Sequence, residues 1–190
     1  MLGAMSSGLE EFGIVDDEAS APAPEPSEPL QEAEEEIDLP AVLSRVPLFS
    51  GLLPAHLRRM GGVTKTFEIK KNNLVFRHGD PGDGLYVVKS GAIRISRNAS
   101  GLGEEALAII RDGGHFGEMS LIDDDVPRSA DAIAHEDTLL LKLPKDDMRD
   151  LLFVDRELAY ELLWRFVRTL SGRLRESNDR LMMLTASSKF

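Results

Sequence analysis

The run His115-Phe116-Gly117-Glu118-Met119-Ser120-Leu121, continuing through Ile122-Asp123-Asp124-Asp125-Val126-Pro127 to Arg128-Ser129-Ala130, concentrates the residues of this chain best suited to chemistry. Gly117 has no Cβ, so the backbone can bend there and approach a ligand closely. Glu118 to Leu121 can form one helical turn whose free N–H groups point outward. Such amides attract anions, phosphate above all. Arg128 enters the next expected strand and can bring a planar guanidinium back to the same place, where its fork matches two phosphate oxygens. A carboxylate beside a phosphate site is repelled unless it accepts a hydrogen bond, and for Glu118 a ribose hydroxyl is the natural donor. Phosphate plus ribose describes a nucleotide. Plainer roles exist for each residue. Arg128 can form a structural ion pair with Asp124 or Glu118, Gly117 can serve a bulge, and Glu118 can favour its own helix turn through the dipole.

Other chemistries find little in the chain. It has no cysteine, which excludes disulfides, thiolate metal sites and thiol nucleophiles. His56, His78, His115 and His135 are scattered with no second ligand at metal spacing, so no metal site is expected and His115 reads as a turn residue. There is no serine-centred elbow and no paired-carboxylate signature, so no catalytic residue is assigned and the chain is not read as an enzyme.

The elements that must position this segment follow from hydrophobic period and turn residues. From Ile37 to Gly62 the apolar residues recur at helical spacing, and Pro47 and Pro54 divide them into short helices over 38–62. After Gly62 come short apolar runs: Val63–Ile69, Leu74–Phe76, Leu85–Val88, Ile93–Ser96, Ala106–Ile110, Ala130–Ala134 and Thr138–Leu143. Glycine, asparagine and aspartate clusters separate them, among them Gly79–Gly84 and Asp112–Gly114. This pattern predicts an antiparallel β-roll, a double-sheet jelly roll, over 63–143. Residues 145–185 lack proline and carry apolar residues at helical intervals, which predicts one short and one long helix, with 186–190 as a tail. The fold class is α+β, with helices, β-roll and helices in that order.

Charge separates the N-terminus from this body. The chain carries 22 basic and 33 acidic side chains, and 12 of the acidic ones but no Lys or Arg fall in residues 1–40, leaving the remainder at a net +1. Residues 1–37 are rich in Pro, Ala and Glu and have too little apolar surface to offset the entropy of ordering, so they are expected to be a disordered tail. One patch, Leu9–Val15, mixes Leu9, Phe12, Ile14 and Val15 with acidic residues and suits a docking peptide, or else is plain linker. No apolar run approaches the roughly 18 residues that span a bilayer, and the acidic N-terminus lacks a secretory pattern. A cytoplasmic protein without membrane insertion is expected.

Three stretches resemble a known family. Phe116-Gly117-Glu118-x-Ser120-Leu121, six residues, then Arg128-Ser129-Ala130 is similar to the phosphate-binding cassette of the cyclic nucleotide-binding domain family, to which catabolite activator proteins and protein kinase A regulatory subunits belong. Gly79-Asp80-x-Gly82-Asp83-x-Leu85-Tyr86-x-Val88-x-x-Gly91 resembles its second signature, and Val46-Pro47-Leu48-Phe49-Ser50-Gly51-Leu52 its N-terminal helical region. The resemblance covers roughly 38–180. It implies that Glu118 binds the ribose 2′-hydroxyl and Arg128 the equatorial oxygens of the cyclic phosphate. Phe116, the Gly117, Met119 and Ser120 backbone, Ser129 and Ala130 would complete the site. It further implies that the last helix closes as a lid, with Arg173, Arg168 and Trp164 as candidates, and that ligand binding shifts this helix between two positions.

On this reading the chain is a non-enzymatic, stand-alone sensor that needs no cofactor. Its ligand is cAMP, with cGMP second, because Ala130 is small and apolar where cGMP-selective relatives often carry a hydroxyl. Three carboxylates at Asp123-Asp124-Asp125 depart from the pattern and would weaken anion affinity unless solvent screens them. Output would pass to an effector protein through Leu9–Val15 or the last helix. Leu163, Phe166, Leu170, Leu174, Leu181 and Leu184 form a broken stripe compatible with a homodimer or with lid packing. Direct DNA binding is not expected, since the body is near neutral, the tail is acidic and Met182–Phe190 is too short for a helix-turn-helix. The alternative is an interaction scaffold of the same fold that has lost ligand binding.

Overall fold

Two prolines set the N-terminal helices. The structure, a computed structural model, describes residues 31–32, 37–99, 103–123 and 126–187; the Leu9–Val15 patch lies outside them. Helix α1 (Leu39–Arg45) starts where the Asp38 carboxylate accepts the Ala41 N–H at 3.1 Å, with Pro40 in the first turn. A 3-10 turn covers Pro47–Phe49, and Pro54 opens α2 (Pro54–Val63). The expected division into short helices is therefore present.

The strands are β1 (Gln31–Glu32), β2 (Lys65–Ile69), β3 (Leu74–Phe76), β4 (Gly84–Ser90), β5 (Ala92–Ala99), β6 (Gly103–Arg111), β7 (His115–Phe116), β8 (Asp131–Ala134) and β9 (Thr138–Pro144). They form two antiparallel sheets, β1-β2-β9-β4-β7 and β3-β8-β5-β6. Strand alternation explains how two cores share one sheet. In β4, Leu85 and Val87 face the helices with Leu141 and Leu143 of β9, while Tyr86 and Val88 face the second sheet with Leu140. Both faces of β4 are covered, which is why it reads as an unbroken apolar run rather than an alternating one.

Two expectations need correction. Gln31 and Glu32, assigned by composition to the disordered tail, pair with Glu68 and Phe67 along the outer edge of β2. An open sheet edge offers backbone hydrogen bonds to any extended segment whatever its side chains. His115 and Phe116, the former read as a turn residue, form the short strand β7 opposite Val87 and Tyr86.

The C-terminal helices are α4 (Lys145–Val154) and α5 (Arg156–Ser187), the latter 32 residues and so about 48 Å long at the usual rise. Asp155 makes the break between them: it accepts the Leu158 N–H at 3.1 Å, capping α5, and is held by Arg59 of α2. Leu158, Leu162 and Phe166 bury the first half of α5 in one core with the 3-10 turn, α1, α2, α4, β4 and β9. No helix among the described residues is long and apolar enough to cross a membrane.

Leu162 is 1% exposed and its neighbour Leu163 56%. Chemical denaturation of Leu162→Ala should therefore show a loss of about 2–5 kcal/mol. Leu163→Ala in dilute, monomeric protein should stay within about 0.5 kcal/mol. The reverse ranking would contradict the rotation of α5 described here.

Candidate functional site

The turn between β3 and β4 grips Arg128, which follows α3 (Met119–Ile122), by its backbone. Its N–H donates to Asp80 O at 2.8 Å, and its carbonyl accepts the Gly79 N–H at 2.9 Å. The side chain then runs inward and is 3% exposed. Nη1 donates to Gly117 O at 3.0 Å and to Ser120 Oγ at 3.3 Å; Nη2 donates to Asp83 Oδ1 at 2.6 Å and to Gly84 O at 2.9 Å. The guanidinium carbon lies 4.2 Å from the centre of the Phe76 ring, where a cation is attracted to the aromatic face. Its Nε is buried and has no hydrogen-bond partner.

Close packing explains the glycines here. Gly117 has φ +76°, and a Cβ on it would meet Arg128 Nη1 at 2.5 Å. A Cβ on Gly82 would meet Ser120 Cβ at 2.2 Å. Glycine at both positions lets the turn before β4 and the segment after β7 come together around one guanidinium.

Asp83 is the hub of the charges below Arg128. Besides Arg128 it binds Lys142 Nζ at 2.5 Å, and the Tyr86 hydroxyl donates to it at 3.1 Å. Burial works against the carboxylate, but the hydrogen bond and charge of Lys142, then those of Arg128, hold its pKa below the ordinary value. Burial, then the Asp83 charge, raises the Tyr86 phenol, which therefore remains a donor.

Glu118 is 3% exposed, and its carboxylate is bound by Arg173 from α5. Arg173 Nη2 also donates to His115 O at 3.3 Å. The long helix is thereby tied to both ends of the Gly117 segment. A cavity of about 650 Å³ opens here. All the residues nominated from the cassette (Phe116, Gly117, Glu118, Met119, Ser120, Arg128, Ser129 and Ala130) line it, as do Arg173, Glu176 and Ser177 of α5. Arg168 and Trp164 do not: Arg168 is exposed, and Trp164 is half exposed with its ring edge-on to Tyr160. Asp124 and Asp125 lie outside the described residues. Among the described residues no group of three or more His, Cys, Asp or Glu could hold a metal ion.

Sequence reasoning did not assign Asp83, Tyr86 or Lys142 to the site, although Asp83 and Tyr86 stand within the second signature. It also missed His115, which is 8% exposed, lines the cavity and has an Nε2 with no hydrogen-bond partner.

The fold is thus a double-sheet antiparallel β-roll with helices at both ends and a cavity lined by Gly117, Glu118 and Arg128. The cyclic nucleotide-binding domain profile matches residues 66–155, and the chain belongs to that family. It is 37% identical to the cyclic AMP receptor protein of Thermus thermophilus over 73% of its length and 62% of the relative's. The N-terminal domain of a transcriptional regulator from Streptomyces coelicolor A3(2) is 34% identical, with a TM-score of 0.63 over 74% of this chain and 94% of that one. A cyclic nucleotide-binding domain from Methylobacillus flagellatus is 27% identical, with a TM-score of 0.66 over 76% and 80% of the two chains. The chain spans 60–62% of the length of the first bacterial regulators it matches.

His115 gives a pH prediction. Burial, and secondly the charge of Arg173, push its imidazole from the ordinary 6.5 down to about 4. Between those values the unfolded chain binds a proton that the folded chain does not, so stability is intact above the upper value and withdraws as pH falls towards the lower. Thermal melts from pH 7 to pH 4 should show Tm falling with acid, and falling less in His115→Phe, which cannot titrate. Parallel slopes would contradict a neutral buried imidazole.

Proposed function

We propose that this chain is a non-enzymatic cyclic nucleotide sensor that binds cAMP, with cGMP second, and relays occupancy through α5 to a partner protein. The observation that carries the reading is the orphaned Nε–H of Arg128. It is a buried cationic donor without a partner, and Glu118, a buried acceptor, lines the same cavity. A buried donor of this kind calls for an anion supplied from outside. A cyclic phosphate meets that need, and its ribose 2′-hydroxyl donates to Glu118. The preference for cAMP draws support from the small apolar Ala130 and from the cyclic AMP receptor protein among the relatives.

Arg173 is the lid residue in this reading. It holds Glu118 when no nucleotide does, and nucleotide binding competes for the same carboxylate. The position of α5 then depends on occupancy to the extent that the two states differ in ligand affinity. The outer face of α5 supplies the contact for a partner or a second copy. Tyr160, Leu163, Val167, Leu174 and Leu181 are 46–63% exposed and follow an a/d-like spacing. Phe166, counted in the stripe from sequence, is buried against the body instead.

Calorimetric titration of nucleotide-free protein tests this. cAMP should bind with micromolar or tighter affinity, about −8 kcal/mol. Arg128→Lys keeps a charge but loses the fork, so it should weaken binding about thirtyfold or more. Silence with both cAMP and cGMP from folded protein would overturn the sensor reading in favour of a scaffold.

A further inference from the structure

We infer that His115 is a further ligand-contacting residue of this cavity, presenting Nε2 as a hydrogen-bond acceptor to the amino group of a bound adenine; the inference rests on the nucleotide reading above. Three observations carry it. The side chain lines the cavity. It is 8% exposed. Its Nε2 has no hydrogen-bond partner within the protein. Buried polar atoms are ordinarily satisfied, so one left without a partner in a side chain that lines a cavity marks a place where the missing partner comes with the ligand.

Its position fits the base rather than the phosphate or sugar. Arg128 meets the Gly117 segment from one side, through Gly117 O. Arg173 meets it from the other, through Glu118 and His115 O. A nucleotide with its phosphate at Arg128 and its ribose at Glu118 extends its base towards the wall formed by His115 and α5. Ser177 of α5 also lines the cavity.

The chemistry selects among bases. Burial and the Arg173 charge keep the imidazole neutral near pH 7, so it carries one N–H and one lone pair. The inference places the lone pair on Nε2, the atom without a partner, and the N–H on Nδ1. An acceptor there pairs with the exocyclic amine of adenine. Guanine places a carbonyl oxygen at the corresponding position, setting lone pair against lone pair. His115 thus contributes to choosing cAMP over cGMP, a role separate from the phosphate and ribose contacts.

The test titrates wild type, His115→Phe and His115→Gln with cAMP and with the cyclic monophosphate of purine riboside, which lacks the amine. Wild type should bind cAMP about tenfold more tightly than the analogue, the worth of one hydrogen bond. His115→Phe should lose that preference, weakening on cAMP alone. His115→Gln, whose amide oxygen reaches a similar position, should keep most of it. Equal wild-type affinity for the two ligands, or a His115→Phe loss of the same size on both, would overturn the role assigned to His115 while leaving the nucleotide reading intact. Failure of wild type to bind either ligand would overturn this inference, and silence with cGMP as well would overturn the nucleotide reading itself.

Discussion

A guanidinium taken out of water must find its hydrogen-bond partners inside the protein, and around Arg128 this requirement organises the site. Four acceptors from two separate segments converge on it: Asp83 and Gly84 O from one, Gly117 O and Ser120 Oγ from the other. Desolvating a cation is costly unless its donors meet acceptors, and here the half-exposed Asp83 carboxylate and three neutral oxygens do so. The turn before β4, the segment after β7 and the start of β8 are therefore held in register by one side chain. The glycines at 82 and 117 let them approach. The five N–H donors of the fork are not used up, and the one remaining on Nε has no partner within the protein.

The long helix is the second organising feature, with different faces serving different ends. Leu158, Leu162 and Phe166 bind it to the body. Further along, Arg173 reaches Glu118 and the His115 carbonyl. The apolar residues on its outer side, Tyr160, Leu163, Val167 and Leu174, remain exposed. An event at Glu118 is thus mechanically connected to a surface that has the composition of a contact face. The Asp155 break separates α5 from α4. It is also anchored, through Arg59, to the N-terminal helices.

Legibility in the sequence tracks locality. Gly117, Glu118 and Arg128 were readable because the cassette is a short continuous run whose residue types suggest their chemistry. The layout of helices, roll and helices was readable from changes of hydrophobic period. Asp83 was not readable as a partner of Arg128, 45 residues away, or of Lys142, 59 residues away. Those pairs exist because the sheet sets Tyr86 opposite Lys142, and register across strands leaves no mark in local pattern. Two residues between glycines are too few to show a period, so β7 and its buried histidine read as a turn. On α5 the apolar residues outnumber one face; the sequence reading put Phe166 in the stripe and Trp164 among the lid candidates, whereas Phe166 turns inward and Trp164 stays half exposed. The packing of Leu158 and Leu162 makes that choice.

The most direct test of the central claim, that Arg128 and Glu118 together hold a cyclic nucleotide, is a crystal structure of the chain grown with saturating cAMP. The account predicts a cyclic phosphate oxygen within about 3 Å of Arg128 Nε and the ribose 2′-hydroxyl at hydrogen-bond distance from Glu118. An empty cavity at saturating nucleotide, or nucleotide bound away from both residues, would contradict it.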